Sequence, residues 1–552
     1  MNRLENYSTG GLLHVIANNQ IGFTTTPKDG RSTPFCTEIG KAYDSPIIHV
    51  NADDPVAVDF AFKMAAEYTR KYPKDLIIDL IGYRRHGHNE LDQPLFTQPE
   101  MYQNIKTHKP VMQILEEKLI EEGIEKSILE GIKNQVDEQL NKIFDQAKAE
   151  EKISVEYNLE DSWKDYTSDV FKPEPITGAN IEVLRHLGEK INTIPENVTA
   201  HPTVKKIYQQ RLESIKSGVG LDWATGEALA WALLLQEGKT VRLSGQDTER
   251  GTFSHRHSVI HDQKSYKRYR PLDNSTNNPK NLQICLSPLT EYAVLGFELG
   301  FSYKDPKALV MWEAQFGDFA NGAQVIIDQF IASGEAKWNL SSGLTLLLPH
   351  GMDGQGPEHS SCRIERYLEL LDDHPFEFDY KKSDVQSFTT NMQVCNPTTP
   401  ANYFHLLLRQ IYRSFRKPLI IPTPKRLLKL KEATSRLEEF GQGKTFDKVR
   451  QETNPEVVSN AKGVKLVLLC SGNVYYDLIA EREKLKRKDV AILTLEQVAP
   501  MPYLQIIEAT KIYPNAHIRW VQEEHMNSGC WTYVQPRLNS VSLKLFIFNI
   551  II

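Results

Sequence analysis

The chain has few cysteines, and their spacing excludes two classes of protein. Its 552 residues include six cysteines, which are scattered along the chain without a CxxC pair. A disulfide-stapled secreted domain and a structural zinc site both need cysteines in close, regular spacing, so neither class fits. We therefore expect a protein of a reducing compartment.

Several signatures of catalysis and binding are also missing. The sequence contains no GxGxxG loop, no P-loop and no GxSxG nucleophile elbow, which argues against the usual dinucleotide-binding, NTP-hydrolysing and serine-hydrolase classes. The formal net charge of −6 argues against a strongly basic nucleic-acid-binding protein. Residues 1–11 lack the charged and apolar regions of a secretory signal. The apolar C-terminal segment Val541–Ile552 is too short to span a bilayer.

Short apolar runs alternate with helical patterns along most of the chain. Leu12–Ala17 and Leu76–Ile81 are apolar runs, and a helical stretch from Pro55 to about Tyr72 lies between them. The same pattern begins again near Leu221 and, after a charged linker, at Val464. Apolar runs of this kind predict parallel sheets buried on both faces by helices, which is an α/β fold. At roughly 150 residues per domain, the length allows three or four domains.

Three stretches depart from this alternation. In Lys109–Lys152 apolar residues recur mostly every three to five positions, which predicts two or more amphipathic helices. Ser154–Ser217 is polar and rich in proline, and we interpret it as an irregular connector that carries no chemistry. The apolar end, Val541–Ile552, is either a buried last strand or a tail foreign to the fold.

Two polar segments follow predicted strands in the first part of the chain. Asn18–Phe23 could ligate a hard cation such as Mg²⁺ through an amide oxygen and the Ile21 carbonyl, although Asn pairs also commonly form turns. Tyr83–Glu90 combines two Arg, two His and a Gly, which suits an anionic ligand. The alternative for this second segment is an exposed charged loop.

The densest polar segment is Ser244–His257, which also follows a predicted strand. His255 and His257 flank an arginine two residues apart. This spacing differs from the i, i+4 spacing of zincins and does not indicate a zinc site. We therefore favour the interpretation that the segment recognises an anion or a carboxylate. A solvated polar loop is the alternative.

A carboxylate and an aromatic segment complete the set of candidates. Glu291 opens a helix that is almost wholly apolar, so it is either an ordinary helix-capping residue or a desolvated acid that exchanges a proton with a heterocycle. Trp312–Phe319 ends a strand, and its aromatic rings either belong to the core or stack on a planar cofactor ring. A glycine-rich stretch, Pro349–Ser361, leads into a helix.

Together these segments resemble, in the same order, those of the thiamine-diphosphate-dependent 2-oxoglutarate dehydrogenases. The resemblance runs from about Gly10 to Leu538. It is carried by NNQIGFTT, IIHVNADDP, YRRHGHNELDQP, RLSGQDTERGTFSHRH, SPLTEYAVLGFELGF, WEAQFGDFANGAQ, LLLPHGMDGQGPEHSS, FRKPLIIPTPKRLL and WVQEEHMNSG. The related 2-oxoadipate dehydrogenases are similar, but the segment ERGTFSHRH is more similar to that of the 2-oxoglutarate enzymes.

The resemblance implies a thiamine-diphosphate-binding, transketolase-like α/β fold with parallel sheets flanked by helices. It divides the chain into a partial diphosphate-binding α/β domain at 1–105, a helical and irregular connector at 106–217, a pyrimidine-binding domain at 218–424 and a C-terminal α/β domain at 425–552. It also implies a homodimer, because the active site in this family lies between subunits.

The resemblance further implies thiamine diphosphate and Mg²⁺ as cofactors and assigns residues to them. Asn19 and the Ile21 carbonyl would ligate Mg²⁺. Glu291 would protonate the aminopyrimidine ring and so favour the imino tautomer that activates the thiazolium. The remaining assignments are cofactor contacts for His88, Gln246 and Phe316, and catalytic positions facing the substrate for His255, His257 and His359.

The reaction implied is oxidative decarboxylation of 2-oxoglutarate, with transfer of the succinyl group to the lipoyl domain of a dihydrolipoyl succinyltransferase in the mitochondrial matrix. The family's Gly-Asp-Gly-like segment, whose Asp ligates Mg²⁺, has no counterpart before Asn18. We therefore expect a sequence truncated at both ends. An inactive remnant without the Mg²⁺-binding aspartate, a 2-oxoadipate dehydrogenase and a transketolase-like transferase stay open as alternatives. Neither nucleic acid nor a membrane is an expected partner.

Overall fold

A computed structural model describes residues 1, 4–8, 10–150, 160–166, 174–376 and 388–545 of the chain. These residues form two compact units, Met1–Val155 and Glu156–Ile552, which we call unit 1 and unit 2. Within the described ranges, no helix combines the length and the apolar character needed to cross a bilayer.

Helices and strands occur along the whole chain, and the described residues between 82 and 240 form helices but no strand. The helices are α1 (Pro27–Gly30), α2 (Ile39–Ala42), α3 (Pro55–Lys71), α4 (Pro99–Thr107), α5 (Val111–Glu121), α6 (Lys126–Ala149), α7 (Glu160–Trp163), α8 (Ile181–Asn192), α9 (Pro202–Ser217), α10 (Trp223–Gln236), α11 (Glu291–Lys304), α12 (Gln324–Ile326), α13 (Gly334–Trp338), α14 (Ile364–Glu369), α15 (Pro400–Tyr412), α16 (Pro455–Ser459), α17 (Val474–Lys484), α18 (Tyr503–Lys511) and α19 (Trp531–Leu545). The strands are β1 (Leu13–Asn18), β2 (Ile47–Asn51), β3 (Leu76–Ile81), β4 (Val241–Gly245), β5 (Ile260–His261), β6 (Arg268–Tyr269), β7 (Leu282–Leu286), β8 (Leu309–Glu313), β9 (Thr345–His350), β10 (Gln393–Cys395), β11 (Leu419–Pro424), β12 (Val449–Arg450), β13 (Leu466–Cys470), β14 (Val490–Leu495), β15 (Gln497–Ala499) and β16 (His517–Val521).

Unit 1 contains a three-stranded parallel sheet in the order β1-β3-β2. The central strand β3 is buried from Leu76 to Asp79, as its apolar run predicts. Helix α3 packs Ala61 and Ala65 against this sheet, and its first turn is capped by Asp54, whose side chain accepts a hydrogen bond from the Ala57 amide. The edge strand β1 is mostly exposed, so the prediction of a sheet buried on both faces holds for β3 and is wrong for β1.

The amphipathic helices predicted after Lys109 are confirmed as α5 and α6. Most apolar positions of α6, among them Ile128, Ile132 and Leu140, are exposed, whereas Ile114 and Leu115 of α5 are half-buried.

Unit 2 is built on a seven-stranded sheet in the order β15-β10-β11-β9-β8-β4-β7. Six of these strands run parallel, and only β15 is antiparallel, beside β10. The strands β4, β8, β9 and β11 are buried along their whole length, because helices cover both faces of the sheet.

A second sheet in unit 2 has four strands in the order β12-β14-β13-β16. Strand β12 is antiparallel to β14, and the other pairs are parallel. One hydrophobic cluster contains buried residues of both sheets, from Val310 and Leu346 to Val467 and Leu493. Strand β15 follows β14 directly in sequence yet joins the larger sheet. The two sheets therefore share a core.

Three predictions from the sequence are wrong in detail. The supposed irregular connector contains helices α8 and α9, which pack so closely that a Cβ at Gly188 would lie 2.6 Å from the Ile215 side chain. At 322–333 the sequence pattern predicts one helix, whereas the structure has a 3₁₀ turn, α12 and a π-helical turn there. The C-terminal segment is helical as far as Leu545, so the strand interpretation fails there, and residues 546–552 lie outside the described ranges.

A buried histidine gives unit 2 a defined pH dependence of stability. His405 lies in α15, and its ring nitrogens are 2.8 Å from Thr177 Oγ1 and 2.8 Å from the Glu439 carbonyl oxygen. Burial lowers the pKa of His405 to about 4. Since the unfolded histidine has a pKa of about 6.5, the unfolded state binds an extra proton as the pH falls below that value. The contribution of His405 to the free energy of unfolding is therefore fully present above pH 6.5 and is lost as the pH falls from 6.5 towards 4.

We expect the His405 contribution to fall by about 2 kcal/mol between pH 7.5 and pH 5. Urea unfolding at the two pH values, followed by tryptophan fluorescence, measures this loss. His405→Gln should lose less stability over the same interval than the wild-type chain, whereas the exposed control His517→Gln should keep the wild-type loss. An identical pH dependence in the wild type and His405→Gln would contradict the prediction.

Candidate active site at the strand ends of the large sheet

Five neighbouring parallel strands, β11-β9-β8-β4-β7, end at the same edge of the large sheet. The loops that follow them carry most of the polar and aromatic segments singled out from the sequence. Ligands of open α/β sheets bind at the carboxyl ends of the strands. This edge is therefore the candidate active site.

Glu291 and Gln246 come together at this edge from different strands. Gln246 follows β4, and Glu291 is the first residue of α11, after β7. Gln246 Nε2 lies 3.5 Å from Glu291 Oε1, and a Cβ added to Gly322 would lie 3.0 Å from Glu291 Oε2. Thr290, the residue before Glu291, makes no side-chain cap. The half-buried carboxylate is therefore held beside an amide and a glycine backbone, where it can exchange a proton with a ligand.

A cluster of aromatic rings lies in loops that follow β4, β8 and β9 at the same edge of the sheet. Phe316 follows β8, and its ring centre lies 4.5 Å from that of His359 and 5.4 Å from that of Phe253, both at steep angles. Phe319 lies 5.7 Å from His359. His359 Nδ1 is 2.9 Å from the Gln355 carbonyl oxygen, an arrangement in which Nδ1 carries the proton and Nε2 can accept one. The cluster suits a planar heterocycle beside a proton-exchanging imidazole.

The loop with the two predicted histidines is anchored by the arginine between them. The Arg256 guanidinium binds Glu227 at 2.6 Å and Glu313 at 2.8 Å, and all three side chains are buried. Although burial by itself lowers the pKa of Arg256, the two carboxylates raise it well above its ordinary value. Glu313 ends β8, three residues before Phe316. One ion cluster thus fixes both the histidine loop and the strand end that bears the aromatic ring.

His255 and His257 are neutral groups in this environment. Burial, then the nearby Arg256 and Arg211, hold the pKa of His255 well below its usual value. Burial and Arg211 also lower the pKa of His257. Tyr208 donates a hydrogen bond of 2.6 Å to the His257 carbonyl. The positive charge at this loop therefore belongs to the arginines, and the histidines act as neutral donors or acceptors.

Two residues that the sequence did not single out hold the glycine-rich loop (residues 351–360) at this site. Asp318 Oδ2 accepts hydrogen bonds from the Ser360 and Ser361 amides at 3.3 and 3.1 Å. Lys425, directly after β11, donates to two carbonyls of the loop. Lys425 directly follows β11 and Asp318 lies in the loop after β8, so their place near strand ends was a usable signal, but only the tertiary structure identifies their partners.

The candidates in unit 1 lie on two loops that contact each other. Gln20 Nε2 donates to the Gly82 carbonyl at 3.0 Å, and the rings of Phe23 and His88 are 5.8 Å apart. Asn19 and Ile21 lie on the first loop and are half-buried, whereas His88 is exposed. These three residues therefore belong to one loop pair of unit 1.

The donor set in unit 1 is a poor fit for Mg²⁺. Asn19 and Ile21 offer two uncharged oxygens. The fully buried carboxylate of Asp79 is bound by Asn18 Nδ2 at 3.1 Å and faces His49 Nδ1 at 2.8 Å. Among the described residues, no cluster of three or more His, Cys, Asp or Glu side chains could hold a metal ion. Hard cations favour anionic oxygen ligands, so these residues by themselves form an incomplete site.

Three family models match successive parts of the chain. They are the dehydrogenase E1 component over residues 1–156, the transketolase pyrimidine-binding domain over residues 219–431 and the 2-oxoglutarate dehydrogenase C-terminal domain over residues 434–545. The second of these ranges contains Gln246, Glu291, Phe316 and His359. The transketolase-like α/β fold expected from the sequence is therefore confirmed.

Several curated relatives are similar over nearly the whole chain. The mitochondrial 2-oxoglutarate dehydrogenase of Dictyostelium discoideum is 46% identical over 97% of this chain and 54% of its own length. Those of Saccharomyces cerevisiae and Caenorhabditis elegans are 47% and 45% identical over 97% and 98% of this chain. The chain spans about half the length of these relatives. With three family models in the expected order, the chain belongs to the 2-oxoglutarate dehydrogenase family.

Proposed function

We propose that this protein carries out the thiamine-diphosphate-dependent oxidative decarboxylation of 2-oxoglutarate and passes the succinyl group to the lipoyl domain of a dihydrolipoyl succinyltransferase. The observation that carries the proposal is the contact of Glu291 with Gln246 at strand ends that also bear Phe316 and His359. A half-buried carboxylate beside an amide, with an aromatic cluster at the same edge of the sheet, suits the ring of a pyrimidine.

Each residue of the site has a definite task in this proposal. Glu291 holds and moves the proton at its carboxylate, and Gln246 orients that carboxylate through its side-chain amide. Phe316 provides an apolar ring face, and His359 offers Nε2 for proton exchange with the substrate. His255 and His257 present neutral imidazoles. Bound thiamine diphosphate supplies the carbanion and the electron sink that decarboxylation of a 2-oxo acid needs.

We also propose a domain organisation, an oligomeric state and a location for the protein. We propose a diphosphate-binding domain at 1–105, a connector at 106–217, a pyrimidine-binding domain at 218–424 and a C-terminal domain at 425–552. In the family the active site lies between subunits, which supports a homodimer. The relatives are named mitochondrial, which supports the mitochondrial matrix.

The diphosphate region offers few oxygen ligands for Mg²⁺. Asn19 and Ile21 would contribute two oxygens to Mg²⁺, and His88 would lie near the cofactor. Because these oxygens carry no formal charge, we expect Mg²⁺-dependent binding of thiamine diphosphate to require a further carboxylate ligand.

Two measurements test the proposal. The protein should release CO₂ from 2-oxoglutarate only when both thiamine diphosphate and Mg²⁺ are present, and faster than from 2-oxoadipate. Calorimetry on the 552-residue chain should give weak binding of thiamine diphosphate at millimolar Mg²⁺.

The outcomes separate the alternatives. A preference for 2-oxoadipate identifies the related lysine-breakdown activity, and turnover of a ketose phosphate donor identifies a transketolase-like transferase. A folded chain that neither binds thiamine diphosphate nor turns over any 2-oxo acid identifies a non-enzymatic remnant. Tight Mg²⁺-dependent binding overturns the expectation that a carboxylate ligand is required.

A further inference from the structure

One buried ammonium group binds both ends of the glycine-rich loop. Lys425 Nζ lies 2.9 Å from the Gly351 carbonyl oxygen and 2.7 Å from the His359 carbonyl oxygen. It also lies 3.0 Å from Asp353 Oδ1, and its side chain is only 7% exposed. Three oxygen acceptors thus match the three protons of the ammonium group.

The loop itself is shaped to bring the His359 carbonyl to this lysine. The Gly351 amide donates to the Ser360 carbonyl at 3.0 Å, which closes the loop at its base. A Cβ added to Gly354 would lie 2.0 Å from the His359 carbonyl oxygen, so this position admits only glycine without movement of the loop. The His359 carbonyl oxygen therefore lies close to the Gly354 backbone and accepts a hydrogen bond from Lys425.

The position of the His359 ring follows from that of its backbone. The ring has a single backbone hydrogen bond, from Nδ1 to the Gln355 carbonyl within the same loop. Its other described neighbours are the ring of Phe316 at 4.5 Å and that of Phe319 at 5.7 Å, and Glu358 Oε1 lies 3.5 Å from Nδ1. Release of the loop ends would shift the imidazole relative to Phe316 without breaking any contact of Glu291.

We propose that Lys425 is a positioning residue that acts through His359, by holding both ends of the glycine-rich loop at the carboxyl end of β9. The proposal rests on the proposed function for its catalytic consequence, whereas the clamp itself is a property of the loop. A displacement of about 1 Å at a reacting group can cost on the order of 10²-fold in rate.

The first test measures the loop directly. In Lys425→Met, hydrogen–deuterium exchange of a peptide covering 351–360 should be at least about tenfold faster, while peptides from β9 and α11 keep wild-type exchange. The control Lys462→Met removes an exposed lysine and should leave the loop unchanged. Unchanged loop exchange in Lys425→Met, or faster exchange spread through β9 and α11, would overturn the clamp.

The second test asks whether the effect passes through His359. With 2-oxoglutarate, Lys425→Met should lower kcat by about 10- to 100-fold with little change in KM, and Lys425→Arg should recover part of the loss. In a His359→Gln background the same Lys425→Met substitution should cost less than twofold, because the residue that it positions is gone. A full, multiplicative loss in that background would overturn the proposal.

A third variant covers the case in which Lys425→Met does not fold. Asp353→Asn removes one half-exposed partner of the lysine and should give a smaller increase of exchange in the same loop. No increase would overturn the clamp. If the wild-type protein shows no activity with 2-oxoglutarate, the proposed function fails, but the exchange measurements still decide whether Lys425 holds the loop.

Discussion

Glu291→Gln should lower turnover of 2-oxoglutarate by about 10²- to 10⁴-fold, which is the range expected for loss of a positioned general acid or base. The amide has the shape of the carboxylate and can keep a hydrogen bond to Gln246, 3.5 Å away, but it cannot carry the proton. The loss should appear in kcat, because the substitution removes proton exchange and leaves the aromatic cluster in place.

The control for this variant is Glu508→Gln, which replaces an exposed glutamate of α18 by the same amide. Both variants should keep the thermal midpoint of the wild type within about 2 °C, since neither breaks a buried ion pair. Turnover of Glu291→Gln within twofold of the wild type would remove Glu291 from the mechanism. A large drop of its thermal midpoint would instead show that Glu291 has a structural role.

Arg256→Met should destabilise unit 2 by about 3–5 kcal/mol, because it leaves two buried carboxylates without their common partner. Glu227 and Glu313 are 2% and 6% exposed, and both bind the Arg256 guanidinium. Tyr403 also donates to Glu227 at 3.0 Å, but a neutral hydroxyl cannot replace the lost charge. The midpoint of urea unfolding, followed by tryptophan fluorescence, measures the effect.

Two further variants separate charge burial from simple loss of packing. Arg487→Met breaks an exposed pair with Asp489 and should leave the midpoint of urea unfolding nearly unchanged, because water already solvates both charges. The triple variant Arg256→Met, Glu227→Gln, Glu313→Gln should recover part of the stability, because no uncompensated charge remains. If Arg256→Met is no less stable than Arg487→Met, the ion cluster does not anchor the histidine loop.

Much of the local structure could be predicted because its signals are local. The run Leu76–Ile81 is a buried parallel strand, and Pro55 with Asp54 does begin a helix. The helices α8 and α9 were missed, because their polar sequence and the prolines around them resemble a connector. Their burial depends on contacts such as Gly188 against Ile215, which no local pattern reveals.

Some features of the candidate site can likewise be predicted from the sequence, and others appear only in the tertiary structure. The sequence by itself determined the α/β fold, the order of the polar segments after strands and the family resemblance, since each depends on residues close together in the chain. Only the tertiary structure decided that Gln246 meets Glu291, that Arg256 binds Glu227 and Glu313 and that Lys425 holds the loop of His359. The physical reason is strand order: parallel strands far apart in sequence end at one edge of the sheet, where their loops meet.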